Sequence, residues 1–156
     1  MSQSTIVHDT FTVERTYPAA VARVFNAFAD PAIKRHWFAD GENEDWVTDE
    51  YTVDFREGGL ETGRFRYKGG PIITNDTLYL DIVSEQRIVF SYVMTVGGKR
   101  ISASLASVEF FSTSNGTRLV YTEQGQFFDS ADQPSGRKEG CEGLFDRLGQ
   151  ELAGTN

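Results

Sequence analysis

Hydrophobic and polar positions along this chain follow two rhythms. Over Thr10 to Tyr17 they alternate, with Phe11, Val13, Arg15 and Tyr17 on one side and Thr12, Glu14 and Thr16 on the other, the signature of a half-buried strand. Pro18 stops that strand. From Ala20 to Ala29 the period lengthens, since Val21, Val24, Phe25 and Phe28 fall on one face of a short helix. Asp30-Pro31 opens a second helix that ends near His36-Trp37-Phe38: the Asp side chain accepts an orphan amide, and Pro lacks the amide that would otherwise be orphaned. Alternation then returns. It predicts strands at Tyr51–Arg56, Thr62–Tyr67, Thr77–Val83, Arg87–Val96, Ile101–Ser112 and Thr117–Phe127, joined by short turns such as Gly97-Gly98 and Ser114-Asn115-Gly116. The acidic stretch from Ala39 to Glu50, with Asp40, Glu42, Glu44, Asp45, Asp49 and Glu50, reads as a solvated loop.

The last element carries most of the argument. Between Ser135 and Ala153, Cys141, Leu144, Phe145, Leu148 and Leu152 recur at helical spacing, while Lys138, Glu139, Glu142, Asp146, Arg147, Gln150 and Glu151 occupy the opposite face. That stripe needs a partner, and only the inner face of the strands is large enough. The prediction is an α+β fold in which a curved, seven-stranded antiparallel sheet is closed by a long C-terminal helix, leaving room for a guest. Residues 1–9 read as a flexible N-terminal tail and residues 10–154 as a single domain.

Composition narrows the function classes. Twelve Phe, six Tyr and two Trp in 156 residues imply either a thick core or an aromatic-lined cavity, between which composition does not choose. A formal charge of −8, with basic residues scattered singly or in pairs such as Lys34-Arg35 and Arg137-Lys138, argues against nucleic acid and anionic membrane surfaces as partners, and leaves those pairs as solvated surface. One cysteine, Cys141, excludes an internal disulfide and fits a reducing, cytoplasmic setting. No apolar run approaches the ~18 residues of a membrane span. Two distant histidines, His8 and His36, give no metal spacing, so neither a metal nor a cofactor is expected.

The order of motifs resembles a known family. Phe11-Thr-Val-Glu-Arg-Thr-Tyr-Pro-Ala-Ala, Val24-Phe-Asn-Ala-Phe-Ala-Asp-Pro, His36-Trp-Phe, Phe55-Arg-Glu-Gly-Gly, Ser84-Glu-Gln-Arg-Ile-Val-Phe, Gly116-Thr-Arg-Leu and Gly140-Cys-Glu-Gly-Leu-Phe-Asp-Arg-Leu, taken in sequence over residues 10 to 153, resemble the activator-of-heat-shock-protein-ATPase-homologue-like branch of the START-like (SRPBCC) superfamily. The resemblance implies a helix-grip fold with its pocket between sheet and last helix. It also implies a choice of functions, because that scaffold serves lipid and hormone carriers, cyclases and aromatases, and co-chaperone domains. One departure is Phe38, which stands where the branch has the second of a paired Trp-Trp and keeps a bulky ring.

Candidate walls of such a pocket are Phe55, Phe65, Leu80, Phe90, Tyr92, Phe110, Leu119, Tyr121 and Glu123 from the sheet, facing Cys141, Leu144, Phe145 and Leu148 from the helix. The alternative is a solid core in which these residues simply touch. Glu123 continues the face of Leu119 and Tyr121. Pointing inward it would hold a polar head of the ligand, or act as a general base if burial raised its pKa; turned out by a twist near Gly125, or satisfied by Arg15 or a Tyr hydroxyl, it would be structural. Cys141 lacks a neighbouring base and reads as a small hydrophobe.

The leading expectation is therefore a binding protein for a small hydrophobic or aromatic molecule, without a catalytic residue. A protein-interaction module that docks on a chaperone through the acidic loop and Trp46 is the second, and a cyclase-like or small hydrolytic enzyme the third. Val89 and Val93 make the outer face of one strand partly apolar, which predicts a homodimer through the outside of the sheet.

Overall fold

The computed structural model describes residues 3–41, 43–131 and 133–154, so that Glu42 of the acidic stretch lies outside the described residues. Strand β1 (Ile6–Tyr17) leads into helix α1 (Val21–Ala29) and helix α2 (Pro31–Lys34), which continues as a π-helical turn over Arg35–Ala39. Six strands follow: β2 (Trp46–Val53), β3 (Leu60–Tyr67), β4 (Ile73–Val83), β5 (Arg87–Val96), β6 (Lys99–Thr113) and β7 (Gly116–Phe128). Helix α3 (Pro134–Gly154) closes the chain. All pairings are antiparallel, in the order β1-β7-β6-β5-β4-β3-β2, so the first strand completes the sheet beside the last. This is the helix-grip arrangement.

Local chemistry explains the helix starts. The Asp30 carboxylate accepts from the amides of Ala32 (3.0 Å) and Ile33 (3.4 Å), and Pro31 occupies the first helical position. Where the helix widens into the π turn, Trp37 is driven inward and its indole N–H donates to the Ala27 carbonyl at 2.9 Å. Trp37 then packs edge-on against Phe28, with ring centroids 5.0 Å apart.

The starts of β1, β2 and β4 lie well before expectation; β4 begins at Ile73 rather than Thr77, where Ile73 to Asn75 pair with Val96 to Met94 of β5. β1 begins at Ile6, inside the stretch read as a tail, because residues Ile6 to Asp9 pair with Phe128 to Gly125 of the long strand β7. β2 begins at Trp46, inside the stretch read as a solvated loop, and ends before Phe55. Its acidic residues sit on the outer face and at a bulge between Thr48 and Glu50, where Asp49 receives two hydrogen bonds from Arg66 of β3, at 2.7 and 2.8 Å. A strand can be strongly charged when its outer face meets charges of opposite sign.

Helix α3 has two unlike halves. Its C-terminal half is packed: Leu148 and Leu152 are buried, Tyr17 donates to the Phe145 carbonyl at 2.7 Å, and a Cβ on Gly149 would approach the Tyr17 ring to 3.3 Å. Here the helix rests directly on β1. Its N-terminal half stands off and reaches the sheet through side chains, Arg137 and Cys141 among them, while a Cβ built on Gly136, Gly140 or Gly143 would meet nothing within 4 Å.

Candidate functional site

The space under the N-terminal half of α3 is a cavity of about 590 Å³. Its floor is the inner face of β3 to β7, with Phe65, Thr77, Tyr79, Ile88, Phe90, Tyr92, Met94, Val108 and Tyr121. Phe28 of α1, Lys34 of α2 and Trp37 and Phe38 of the π-helical turn form the side, and the roof carries Arg137, Cys141, Leu144 and Phe145. The volume falls in the range of sites for small ligands. Aromatic rings dominate the surface, and they brace one another: Phe55 lies 5.1 Å from Tyr79, Phe90 6.0 Å from Tyr92, and Tyr121 5.1 Å from Phe145.

Of the wall residues read from sequence, Phe55, Phe65, Phe90, Tyr92, Tyr121, Cys141, Leu144 and Phe145 line this cavity. Phe55 does so from the connection after β2 rather than from a strand. Phe110, Leu119 and Leu148 are buried but elsewhere: Phe110 packs under α1 against Phe25 and Phe28, at 5.3 and 5.5 Å, in the solid part of the core. Leu80 must be corrected outright. It is 46% exposed on the outer face, because Thr77 and Tyr79 take the inward positions of β4 and the register with β5 slips between Tyr79 and Asp81, skipping Leu80.

Glu123 is fully buried, one layer behind the cavity wall. The register of β7 with both neighbours runs unbroken through Gly125, so no twist turns it outward; Gly125 instead makes room for the Phe127 ring. Its carboxylate receives the Tyr92 hydroxyl at 2.8 Å, the Tyr121 hydroxyl at 2.6 Å and the Ser104 hydroxyl at 2.7 Å, with the Arg137 guanidinium 3.4 Å away. Arg137 in turn donates to the Tyr92 oxygen at 2.9 Å and to the Ser102 oxygen at 2.7 Å. Arg137 is therefore a buried partner of Glu123 and not the solvated surface residue its sequence neighbourhood implies. Arg15 plays no part here; it pairs at 2.8 Å with Asp146 on the exposed side of α3.

Burial sets the ionisation behaviour of the groups around Glu123. Desolvation first, and the nearby Glu123 charge second, push the Tyr92 hydroxyl well above the usual phenol range. Tyr121 is raised chiefly by desolvation. The Cys141 thiol is pushed up to about 12 by desolvation and by Glu123. A thiol so protonated is no nucleophile.

A second polar cluster, not anticipated from the sequence, faces the same cavity from the opposite side. Lys34 is 7% exposed and Glu61 2%, and the Lys34 ammonium lies 2.7 Å from Glu61 Oε1. Tyr79 donates to the same oxygen and accepts from Lys34 at 3.3 Å, while Tyr51 donates to Oε2 at 2.8 Å. Lys34, read from sequence as solvated surface, is thus a buried cation. A signal for Glu61 did exist: it shares the inward parity of Phe65, four residues on. Trp46, expected to be exposed on the acidic loop, also turns in, donating to the Ala39 carbonyl at 2.8 Å and lying 5.1 Å from the Phe65 ring.

Comparison with known proteins agrees with this fold. The family model described as Activator of Hsp90 ATPase homolog 1-like protein matches residues 18–153. Among solved structures, the Mll3558 protein from Rhizobium loti is 51% identical, with a TM-score of 0.87 over 95% of this chain and 99% of that one. An uncharacterized protein from Rhizobium leguminosarum is 38% identical, with a TM-score of 0.91 over 97% of this chain and 99% of that one. The AHSA1-like protein from Aeromonas hydrophila, at 22% identity, shares the fold with a TM-score of 0.70 over 93% of this chain and 92% of that one. No curated protein matches.

Proposed function

This chain belongs to the Activator of Hsp90 ATPase homolog 1-like family, within the START-like superfamily, and from that premise we propose that it binds a small hydrophobic or aromatic molecule in the cavity beneath the N-terminal half of α3. The observation that carries the reading is the 590 Å³ space itself, walled by rings and roofed by a helix that brings three glycines to it beside Arg137, Cys141 and Leu144. Burial of apolar ligand surface supplies the affinity, at about 25 cal/mol per Å² before ordering costs. Nothing in the arrangement requires a reaction: Cys141 is protonated and Glu123 is occupied by donors. Chaperone docking draws no support from Trp46, which faces the cavity.

Native mass spectrometry of protein from its own host would reveal a retained guest of small mass. Calorimetry with naphthalene as probe gives the complementary test. Leu144→Trp, which fills the roof of the cavity, is expected to abolish naphthalene binding while leaving the circular dichroism spectrum unchanged; undiminished binding would remove the site from under α3. A homodimer through the outer face, where Leu60 pairs opposite Leu78 and both are exposed, belongs to the same proposal, and a monomer-sized species by light scattering at high concentration would retract it.

A further inference from the structure

Resting on that binding reading, we infer that the guest is uncharged and presents an oxygen acceptor, a carbonyl above all, to the ammonium of Lys34. Lys34 lines the cavity and its side chain is 9% exposed. An ammonium has three donors. Two of them meet oxygens, Glu61 Oε1 at 2.7 Å and the Tyr79 hydroxyl at 3.3 Å, and the other neighbours are ring faces, of Phe38 and of Tyr79, with centroids 4.7 and 5.8 Å from the nitrogen. A ring face is a weak substitute for an oxygen at a buried cation. One N–H of Lys34 is thus left for an acceptor brought by a guest.

The charge balance of the walls defines the rest. Lys34 is compensated by Glu61, and on the far side Arg137 is compensated by Glu123. Arg147 reaches the cavity only at its half-exposed rim, where it donates to the carbonyls of His36 and Asp40. Among the described residues, a guest carrying its own charge into the interior would meet no spare counter-ion, a costly burial. A neutral body of apolar rings with one carbonyl satisfies both the ammonium and the balance.

Three probes of nearly one shape separate the possibilities by calorimetry on the full chain: 2-acetylnaphthalene, its carbonyl-free isostere 2-isopropenylnaphthalene, and 2-naphthoate. The ketone is expected to bind about ten-fold more tightly than the isopropenyl compound, as one hydrogen bond to a charged donor allows, and more tightly than the carboxylate. The double change Lys34→Met with Glu61→Gln avoids stranding one charge. It should bring the ketone down to the isopropenyl level and leave the isopropenyl affinity where it was. Binding of the isopropenyl compound without any ketone advantage would overturn the role of Lys34 while sparing the cavity. Tightest binding of the naphthoate would overturn the uncharged guest. Failure of all three to bind would instead strike at the binding reading itself.

Discussion

Glu123 illustrates what one buried charge demands. Its carboxylate is surrounded by donors from β5, β6, β7 and α3, so that four elements meet at two oxygen atoms. Removing it takes one partner from the buried Arg137 guanidinium and the shared acceptor from three hydroxyls, and breaking a buried pair of this kind costs about 3–5 kcal/mol. Glu123→Ala is accordingly expected to lower the free energy of urea unfolding by that amount, whereas Glu123→Gln, which keeps an acceptor oxygen, should cost less; equal and negligible losses would show the network to be dispensable. Cys141, against the same carboxylate, is expected to react with a disulfide reagent at pH 8 far more slowly in the native protein than in urea, because burial holds its thiol protonated up to about 12. Glu123 was legible in the sequence, since parity along β7 places it with Leu119 and Tyr121. The pairing of Lys34 with Glu61 was not, although Glu61 shares the inward parity of Phe65. They lie 27 positions apart on a helix and a strand, and charged residues belong at the surface unless a partner is in view. Only the packing of α2 over β3 supplies that partner.

Elements behave differently at their two ends. Helix α3 is fixed on β1 through Tyr17 and Gly149, whereas its N-terminal half is held to the sheet by the reach of Arg137 and borders the cavity with three glycines. Each glycine weakens the helix by up to about 1 kcal/mol relative to alanine, and none is required there for close packing. Gly140→Ala should therefore raise stability by about that much in thermal unfolding, since its new methyl group meets nothing within 4 Å; a destabilised variant would mean that α3 settles closer to the sheet than this geometry has it. The Asp30-Pro31 start signal located the second helix, and the period of hydrophobic positions located α3, the first early helix and the seven strands. It did not distinguish the half of α3 that fills from the half that spans, because Leu144 and Leu148 look alike in sequence. Bulges were equally invisible to it. Leu78 and Leu80 alternate as convincingly as Thr77 and Tyr79, and the inward pair is decided by pairing with Phe90 and Tyr92 across β5.

At the scale of the whole molecule, burying so many phenols makes the fold sensitive to alkali. Tyr17, Tyr79, Tyr92 and Tyr121 are all buried, and desolvation is the leading cause that lifts each above its ordinary value of 10.0. Cys141 moves likewise from 9.0 to about 12. A group whose proton is held more tightly in the folded chain contributes stability that is fully present below its unfolded pKa and is lost as pH rises above it, because the unfolded chain then binds fewer protons. The native state should thus keep its full stability up to about pH 9 and lose it steeply above pH 10. Each ionising group removes roughly 1.4 kcal/mol per pH unit, and the four tyrosines together roughly 6, against a total of roughly 5–15 typical of such domains. Unfolding should therefore arrive within a few pH units. Absorbance at 295 nm, which reports tyrosinate, and far-ultraviolet circular dichroism are expected to change together in one sharp transition. If most of the phenols titrated smoothly about pH 10 while the dichroism held, the hydroxyls at Glu61 and Glu123 would be open to water, and the polar anchors of the cavity would not be the buried clusters drawn here.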